Sequence, residues 1–490
     1  MRKWAPAAAL ACVVVAFACG SSSLNGVKAQ AGQLRWVVLF LAVGAVAAAA
    51  WSRLRGPAPR TSRGVLAVLV LPGAFLALAL LSTFWTVSNR LTFERAVSLA
   101  VLFTLAALVA YVTADDSAAQ RRALAGLATG ACAVGILSLI TLALYHGDAV
   151  QASSPQTPWR YRGFTENPNT ISVLASVALP ILVALALTAG REPERLAWIA
   201  GALLMLGSTI AAESRGGLIA AALGMCIVVA LQVRPWKKTA VVLAGVLLAT
   251  GGGVYLRELT NPPAPAFVSA VAPAPAPVPA PPTTTRRTTK PFPTGTHGPV
   301  KKPTKPLPKN VLPPTPQKET IPLPIRTLGL PRATDEIGNP LLSKENTSTV
   351  GSGRIAAWKG ALHEVAQRPL LGYGFGTEQK VFIDRWYYFD GGTPENSFLG
   401  ILLQLGAIGL LVVVAFGVAL IVAGLRVLRS LDDASRGVVA AGLGVLGAAV
   451  GVMLIQSYLY SVGNVATTTV WVALFLLGTI AFDVRKRDAA

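Results

Sequence analysis

Four short stretches of the chain combine charged, aromatic and glycine residues in patterns that could do chemistry. They are RYRGFTENPN from Arg160, ESRGG from Glu213, GRIAAW from Gly353 and ENSF from Glu395. A guanidinium group presents a planar fork of donors that fits phosphate oxygens. A carboxylate that is partly shielded from water can act as a general base. The types of residue therefore point to an anionic substrate and a proton transfer.

The stretch from Gly353 predicts a short helix that begins near Arg354, is capped by Ser352 and ends before Pro369. An apolar face at helical spacing predicts that this helix lies on or near a membrane: Ile355, Trp358, Leu362 and Val365. Arg354 at the helix N-terminus would make an anion site, or would simply reach lipid headgroups. The glycines at 372, 374 and 376 predict a tight turn rather than a nucleotide loop, because no strand precedes them.

Arg215 lies beside Glu213 and two glycines between two apolar runs. A charged residue so near a membrane boundary requires a partner, which favours a functional role over an ordinary turn.

Arg160 and Arg162 alternate with aromatic residues. This pattern suits sugar stacking and phosphate contact, and it is equally typical of an aromatic belt at a membrane interface. Pro168 predicts the start of a helix and places Asn169 in its first turn.

Glu395 and Asn396 come just before a long apolar run. Glu395 is a candidate general base. The alternative is a carboxylate at a helix start, which the helix dipole favours.

The composition predicts the elements that must hold these residues. The chain has 490 residues, of which 53% are hydrophobic and 13% charged, and its mean hydropathy is +0.57. These values exclude an ordinary soluble protein and predict an all-α membrane protein with about twelve transmembrane helices. The apolar runs place them near 4–20, 36–51, 64–87, 96–112, 123–145, 168–190, 196–212, 216–233, 239–256, 397–424, 437–457 and 464–483. We interpret the first run as an uncleaved membrane helix rather than a signal peptide.

Clusters of basic residues alternate with these helices and predict their orientation. Arg53, Arg121, Arg122, Arg195 and Arg436 are among the Lys and Arg residues that fall on one side, whereas the other short loops hold scattered charges such as Lys28, Arg35, Arg90 and Arg95. The positive-inside rule then places both termini in the cytoplasm. The formal net charge of +21 is explained in this way, and no nucleic-acid partner is expected. The four cysteines lie in apolar runs and predict neither disulfides nor a metal site.

The chain divides into four predicted regions. Residues 1–256 form helices 1 to 9, 257–350 a Pro-rich arm, 351–396 a membrane-proximal catalytic loop, and 397–490 the last three helices with a cytoplasmic C-terminus. The arm has dense Pro, Thr and Lys, which predicts an extended, disordered extracytoplasmic segment. Its lysines would keep it soluble or would contact the cell wall.

Taken in order, the four stretches resemble the O-antigen ligase/polymerase superfamily of integral membrane enzymes. The resemblance covers most of the chain from about residue 70 onward. In ENSFLGILLQLGAIG, Asn396 is followed by nine residues and Gly406-Ala-Ile-Gly409, similar to a ligase pattern that has His before the Asn. Here Glu395 stands in the place of that His. This difference makes a polymerase about as good a fit as a ligase.

The resemblance implies transfer of a glycan from a polyprenyl-pyrophosphate carrier to an acceptor hydroxyl on a glycan or lipid, on the outer face of the cytoplasmic membrane. Arg215 and Arg354, with Arg162 as a weaker candidate, would neutralise the pyrophosphate. Glu395 would accept the proton and Asn396 would orient a reacting group. Candidate substrate-binding residues are Arg160, Arg162, Asn169 and Trp358. No cofactor or metal is expected. The alternatives are a transporter or flippase of lipid-linked glycans, and a wall-associated scaffold.

Overall fold

The computed structural model describes residues 4–55, 63–151, 160–233, 354–381 and 393–483. All of them belong to one compact unit, Met1–Pro262 together with Arg332–Ala490. A second unit, Pro263–Pro331, lies outside the described residues, as do the helix expected at 239–256 and the arm expected at 257–350.

The described residues form thirteen α-helices, two 3-10 turns at Ser82–Phe84 and Leu428–Ser430, and one pair of strands. The helices are α1 Ala5–Gly20, α2 Asn25–Leu54, α3 Arg63–Leu81, α4 Asn89–Thr113, α5 Ser117–Leu144, α6 His146–Ala149, α7 Pro168–Leu187, α8 Glu192–Ala211, α9 Arg215–Gln232, α10 Arg354–Gln367, α11 Ser397–Val427, α12 Asp433–Met453 and α13 Thr467–Ala481. The strands β1 Val150–Gln151 and β2 Arg160–Tyr161 are antiparallel, with Val150 opposite Tyr161.

The predicted all-α membrane class is confirmed. Within the described residues nine helices are long and apolar enough to span a membrane, and α1 and α13 are shorter apolar helices. These eleven coincide with predicted helices, and the twelfth falls outside the described residues, so the count of twelve is not confirmed.

The sequence placed Lys28 and Arg35 in a loop, and this was wrong. Both lie on α2, which runs from Asn25 to Leu54 because no proline interrupts its polar first third. Lys28 pairs with Glu166 at 2.6 Å, and the Arg35 guanidinium lies 5.6 Å from the ring centre of Trp36. Arg90 and Arg95 likewise lie on a helix, in the first turns of α4.

Close packing of α9 on α12 brings two of the candidate stretches to the same end of the bundle. A Cβ atom at Gly224 of α9 would lie 2.7 Å from the carbonyl oxygen of Gly444 in α12, so the crossing requires residues without side chains. The start of α9, at Arg215, therefore lies beside the end of α12, at Met453. We call this the site end. The opposite end, which carries Arg53, Arg121, Arg122, Arg195 and Arg436, is the basic end.

Helix α11 is broken at Gly406, whose backbone has φ 62° and ψ −164°. The carbonyls of Leu403 and Gln404 accept hydrogen bonds of 2.8 Å from the N–H groups of Tyr373 and Gly374. On the other side of the break, Ala407 N–H donates to the Pro369 carbonyl at 2.7 Å. Residues 369–374 thus take up the backbone groups that the break exposes, as a polar backbone within a membrane requires.

Candidate active site

Arg354 and Glu395, 41 residues apart in the chain, form an ion pair at the site end. Arg354 is the first residue of α10, and its Nε and NH2 atoms donate to Oε2 of Glu395 at 2.9 and 2.7 Å. The two side chains are 26% and 24% exposed. Because both bonds go to Oε2, the Oε1 atom accepts no hydrogen bond from the described residues and can receive a proton. No described residue accepts a hydrogen bond from Nη1 of Arg354, so these donors can bind an anion.

The turn that carries Glu395 is held from both sides. Glu395 has a positive φ of 48°, a conformation that costs a non-glycine residue free energy and needs support from its surroundings. The indole Nε1 of Trp358, in α10, donates to the Pro394 carbonyl at 2.9 Å. Trp358 therefore fixes the approach to Glu395 while its ring stays partly exposed.

Asn396 caps α11. Its Oδ1 accepts from the N–H groups of Phe398 and Leu399 at 3.0 and 3.1 Å, and its Nδ2 donates to the Leu454 carbonyl at 3.2 Å. The side chain is only 6% exposed. These contacts orient the Glu395 turn, whereas the expected role of Asn396 was to orient a reacting group.

The predicted helix after Gly353 is confirmed as α10, and its predicted cap, Ser352, lies outside the described residues. The expected contact of this helix with the membrane stays a prediction, and Leu362 on its expected apolar face is 51% exposed and so open to lipid. Ala357 and Ala361 are fully buried against Leu403 of α11, with Val365 packed beside them. Two small residues let α10 lie close to α11, so the buried face follows the alanines. The glycines at 372, 374 and 376 all have positive φ, which confirms the predicted turn.

Arg215 reaches the same end through a neighbouring loop. It is the first residue of α9, exposed, and follows Ser214, whose Oγ accepts from Gly217 N–H at 3.3 Å. A Cβ at Gly216 would overlap the side chain of Ile455. Since Ile455 follows Leu454, whose carbonyl accepts from Asn396, the Arg215 turn and the Glu395 turn contact the same loop.

Arg160 and Asn169 also join this end. The NH2 of Arg160 donates to Oδ1 of Asn169 at 3.0 Å, and its Nε donates to the Ala212 carbonyl at 3.0 Å, just before the Arg215 turn. Asn169 lies in the first turn of α7, where Pro168 is the first residue, as predicted. The pair of strands that carries Arg160 was not predicted.

Arg162 points elsewhere. Its Nε and NH2 donate to the carbonyls of Asp148 and Gly147 at 2.7 and 3.5 Å. These bonds close the α6 turn onto the strand pair, so the structure does not bring Arg162 to the Arg354–Glu395 pair.

The comparison with known families matches this region. Residues 200–414 match the family model described as O-antigen ligase. These residues form an O-antigen ligase domain, which supports membership of the O-antigen ligase/polymerase superfamily. Membership implies a multi-pass membrane protein with glycosyltransferase-like activity that acts on lipid-linked glycans. No curated protein matches the chain.

The O-antigen ligase match covers part of the candidate site. Arg215, Arg354, Trp358, Glu395 and Asn396 fall within it. The Arg160–Asn169 pair lies outside the matched residues and is joined to them by the bond to Ala212.

Sequence reasoning missed one acidic residue of the O-antigen ligase domain. Glu378 is 5% exposed and lies one side chain away from the Glu395 turn, because Ser457 contacts both Glu378 and the backbone of Asn396. Burial raises the pKa of Glu378 to about 7, although hydrogen bonds from Tyr460 and Ser457 and the charge of Arg95 lower it. Its only sequence signal was a carboxylate two residues after the glycine turn.

A cavity of about 900 Å³ lies at the basic end, at the opposite end of the bundle from the candidate site. It is lined by Arg121, Arg122 and Glu194, among others. Arg121 pairs with Glu194 at 2.7 Å and Arg122 with Asp116 at 3.0 Å. All the residues that line this cavity lie outside the family match at residues 200–414, and we assign the chemistry to the site end, where that match and the shielded carboxylates coincide.

Proposed function

We propose that this protein transfers an oligo- or polysaccharide from a polyprenyl-pyrophosphate carrier to an acceptor hydroxyl. The observation that carries the proposal is the half-buried Arg354–Glu395 pair at the entrance to α11, within the O-antigen ligase domain. A carboxylate whose second oxygen stays available and an arginine with spare donors are the two groups that such a transfer requires.

In the proposed reaction, the acceptor oxygen attacks the anomeric carbon of the donor glycan while Oε1 of Glu395 takes the hydroxyl proton. The bond between the anomeric carbon and the pyrophosphate oxygen breaks, and its electron pair leaves with the polyprenyl pyrophosphate. Negative charge develops on that leaving oxygen. Arg354 and Arg215 stabilise it with donors that are in place before the reaction, in the role that a metal ion has in other transferases.

The remaining candidates hold substrate or support the site. The partly exposed ring of Trp358 offers a face for a sugar. Arg160 and Asn169 flank the Arg215 turn and would contact the glycan or its phosphate. Asn396 positions Glu395. Arg162, which is bound to the α6 turn, has the weakest claim.

We place the site on the outer face of the cytoplasmic membrane, with both termini in the cytoplasm. The support is the clustering of arginines at the basic end, including Arg53, Arg121, Arg122, Arg195 and Arg436, which the positive-inside rule assigns to the cytoplasm.

A transporter is the alternative from a different class, and the break in α11 is the observation in its favour, since broken helices form substrate sites in transporters. In this protein, residues 369–374 already take up the backbone groups at the break. Because these backbone groups are already hydrogen-bonded, they are not open to a transported substrate, which favours the transferase.

The test uses a strain that lacks the native gene and carries Arg354→Ala, Glu395→Gln or Arg215→Ala. We expect surface glycan to fall by about 100-fold to 1,000-fold for the first two, with polyprenyl-pyrophosphate glycan accumulating in lipid extracts. The matched control is Arg121→Ala, which breaks a pair of the same 2.7 Å length in which the arginine is also 26% exposed. Transfer in isolated membranes is expected to persist in EDTA.

The site of accumulation separates the two classes. A lost transferase leaves the donor glycan accessible to a glycosidase added outside spheroplasts, whereas a lost flippase leaves it protected. Wild-type surface glycan from all three variants, at normal levels in the membrane, would show the catalytic assignment to be wrong.

A further inference from the structure

Glu378 is enclosed by donors. Ser457 Oγ donates to its Oε1 at 2.7 Å, and the Tyr460 hydroxyl and Gln404 Nε2, the latter at 3.4 Å, donate to its Oε2. A Cβ at Gly400 would overlap the Tyr460 hydroxyl, so this glycine of α11 leaves the space in which the group assembles.

The groups that donate to Glu378 are fixed as donors and cannot easily become acceptors. Gln404 Oε1 accepts from Gly376 N–H at 2.6 Å, and its Nε2 also donates to the Gly400 carbonyl at 3.0 Å, which fixes the amide with its N–H groups toward Glu378. Burial and the neighbouring Glu378 raise the pKa of Tyr460 well above its usual value, so the phenol keeps its proton. Three donors suit an ionised carboxylate, which only accepts hydrogen bonds.

Ser457 connects this buried carboxylate to the proposed catalytic turn. While its hydroxyl proton points to Glu378, its oxygen accepts from the N–H of Asn396 at 3.2 Å. Asn396 directly follows Glu395. A protonated Glu378 must itself donate a hydrogen bond, so the hydroxyl group of Ser457 or of Tyr460 has to rotate to accept it. Rotation of the Ser457 hydroxyl disturbs the hydrogen bond that this hydroxyl accepts from the Asn396 N–H.

Charge near Glu378 opposes the effect that burial has on its ionisation. Arg95 of α4 packs on Gly376, where a Cβ would lie 2.6 Å from its Cγ, and its charge favours ionised Glu378. The charge of Arg95 also repels that of Arg35 in α2. Within the same segment Lys380 is exposed, and the other buried carboxylate, Glu364, accepts from the Tyr373 hydroxyl at 3.1 Å.

We propose that ionised Glu378 is a positioning residue for the glycan transfer proposed above: through Ser457 it holds the Asn396 N–H and so keeps the Glu395 carboxylate in its working position. The proposal rests on the proposed function for its effect on activity. It makes transfer dependent on pH, with the active form present when Glu378 has lost its proton.

The first experiment measures transfer in isolated membranes between pH 6 and pH 9. We expect wild-type transfer to rise as the pH passes about 7. Glu378→Gln should lower transfer at pH 8 by up to about 100-fold and flatten this rise, because the turn is no longer held in register. Glu364→Gln, which changes the other buried carboxylate, should keep the wild-type profile. A Glu378→Gln variant with wild-type turnover and the wild-type profile would overturn the proposal.

Arg95→Gln tests the same point and leaves all three donors to Glu378 in place. Loss of the positive charge removes an attraction for the ionised form, so the rise in transfer should move to higher pH. If the profile does not move, Glu378 does not control the site. This result holds even where Glu378→Gln fails to insert.

Hydrogen exchange separates failure of this proposal from failure of the proposed function. Peptides that cover residues 395–400 should exchange faster in Glu378→Gln than in wild type at pH 8, and the difference should shrink at pH 6. Equal exchange in the two proteins at both pH values would overturn the positioning role whether or not the protein transfers glycan. Absent transfer with the expected exchange difference would instead contradict the proposed function.

Discussion

The turn at Glu395 holds its charges differently from the basic end of the helix bundle. At the basic end the paired carboxylates are open to solvent: Asp115 is 55% exposed, Asp433 95% and Glu194 36%. At the site end Glu395 is 24% exposed and Glu378 is 5% exposed, whereas Glu166, which pairs with Lys28 away from the Glu395 turn, is 56% exposed.

The difference follows from what each end does. An exposed ion pair contributes about 0 to 1 kcal/mol, so the basic end needs its arginines for orientation and not for their individual partners. A charge that is shielded from water carries a desolvation cost, and a protein can fold without such a charge. The site end accepts this cost where it holds an arginine and two carboxylates around one turn, and chemistry is the reason we give for it.

The largest expected effect comes from reversing one pair at each end. At the basic end, Arg121→Glu with Glu194→Arg restores an ion pair of opposite sense and should keep wild-type transfer. At the site end, Arg354→Glu with Glu395→Arg should stay about 100-fold or more below wild type, because the carboxylate no longer lies where the proton is released. Surface glycan in the complemented strain is the measurement. Recovery of transfer in the site-end swap would reduce that pair to a structural contact.

A smaller effect is expected at the break in α11, which makes this helix differ from an ordinary one. Gly406→Ala adds a Cβ that overlaps the Leu370 carbonyl at a residue with φ 62°, so the variant should lose about 1 to 3 kcal/mol of stability and melt at lower temperature. Gly417→Ala in the same helix is the control, since its nearest contact would be Leu446 at 4.0 Å. Thermal melting in detergent measures both, and equal melting temperatures would contradict the strained break.

The smallest expected effect is the pH dependence of stability at Glu378. Its pKa is raised from 4.5 to about 7 in the folded protein, so the folded state binds this proton more tightly than the unfolded state. The resulting stabilisation is present in full below about pH 4.5 and is lost as the pH rises to about 7. The melting temperature of wild type minus that of Glu378→Gln should therefore fall from pH 5 to pH 8. A difference that is constant or rises would show that folding does not raise the pKa of Glu378.

The helices could be predicted from the sequence because membrane burial requires long apolar runs. Arg354, Arg215 and Glu395 could be singled out because charges at helix ends beside a membrane are costly. Their partners could not be: the Arg354–Glu395 bond joins residues 41 positions apart, with no local pattern to connect them. Glu378 was missed because its burial comes from Tyr460 and Ser457, which lie about 80 residues away in the chain. The position of Arg35 was wrong because a charged residue was read as a helix end, whereas α2 runs through it from Asn25 to Leu54.

The break at Gly406 also bears on how the protein is made. Residues 369–374 precede α11 in the chain, so they are synthesised before Gly406. The segment 369–374, which pairs with the backbone at the break, is thus already made before the broken helix reaches the lipid. A protein whose filling segment came after the helix would have to insert with open backbone groups, at several kcal/mol for each. The order of the two segments along the chain therefore avoids inserting the break with its backbone groups unpaired.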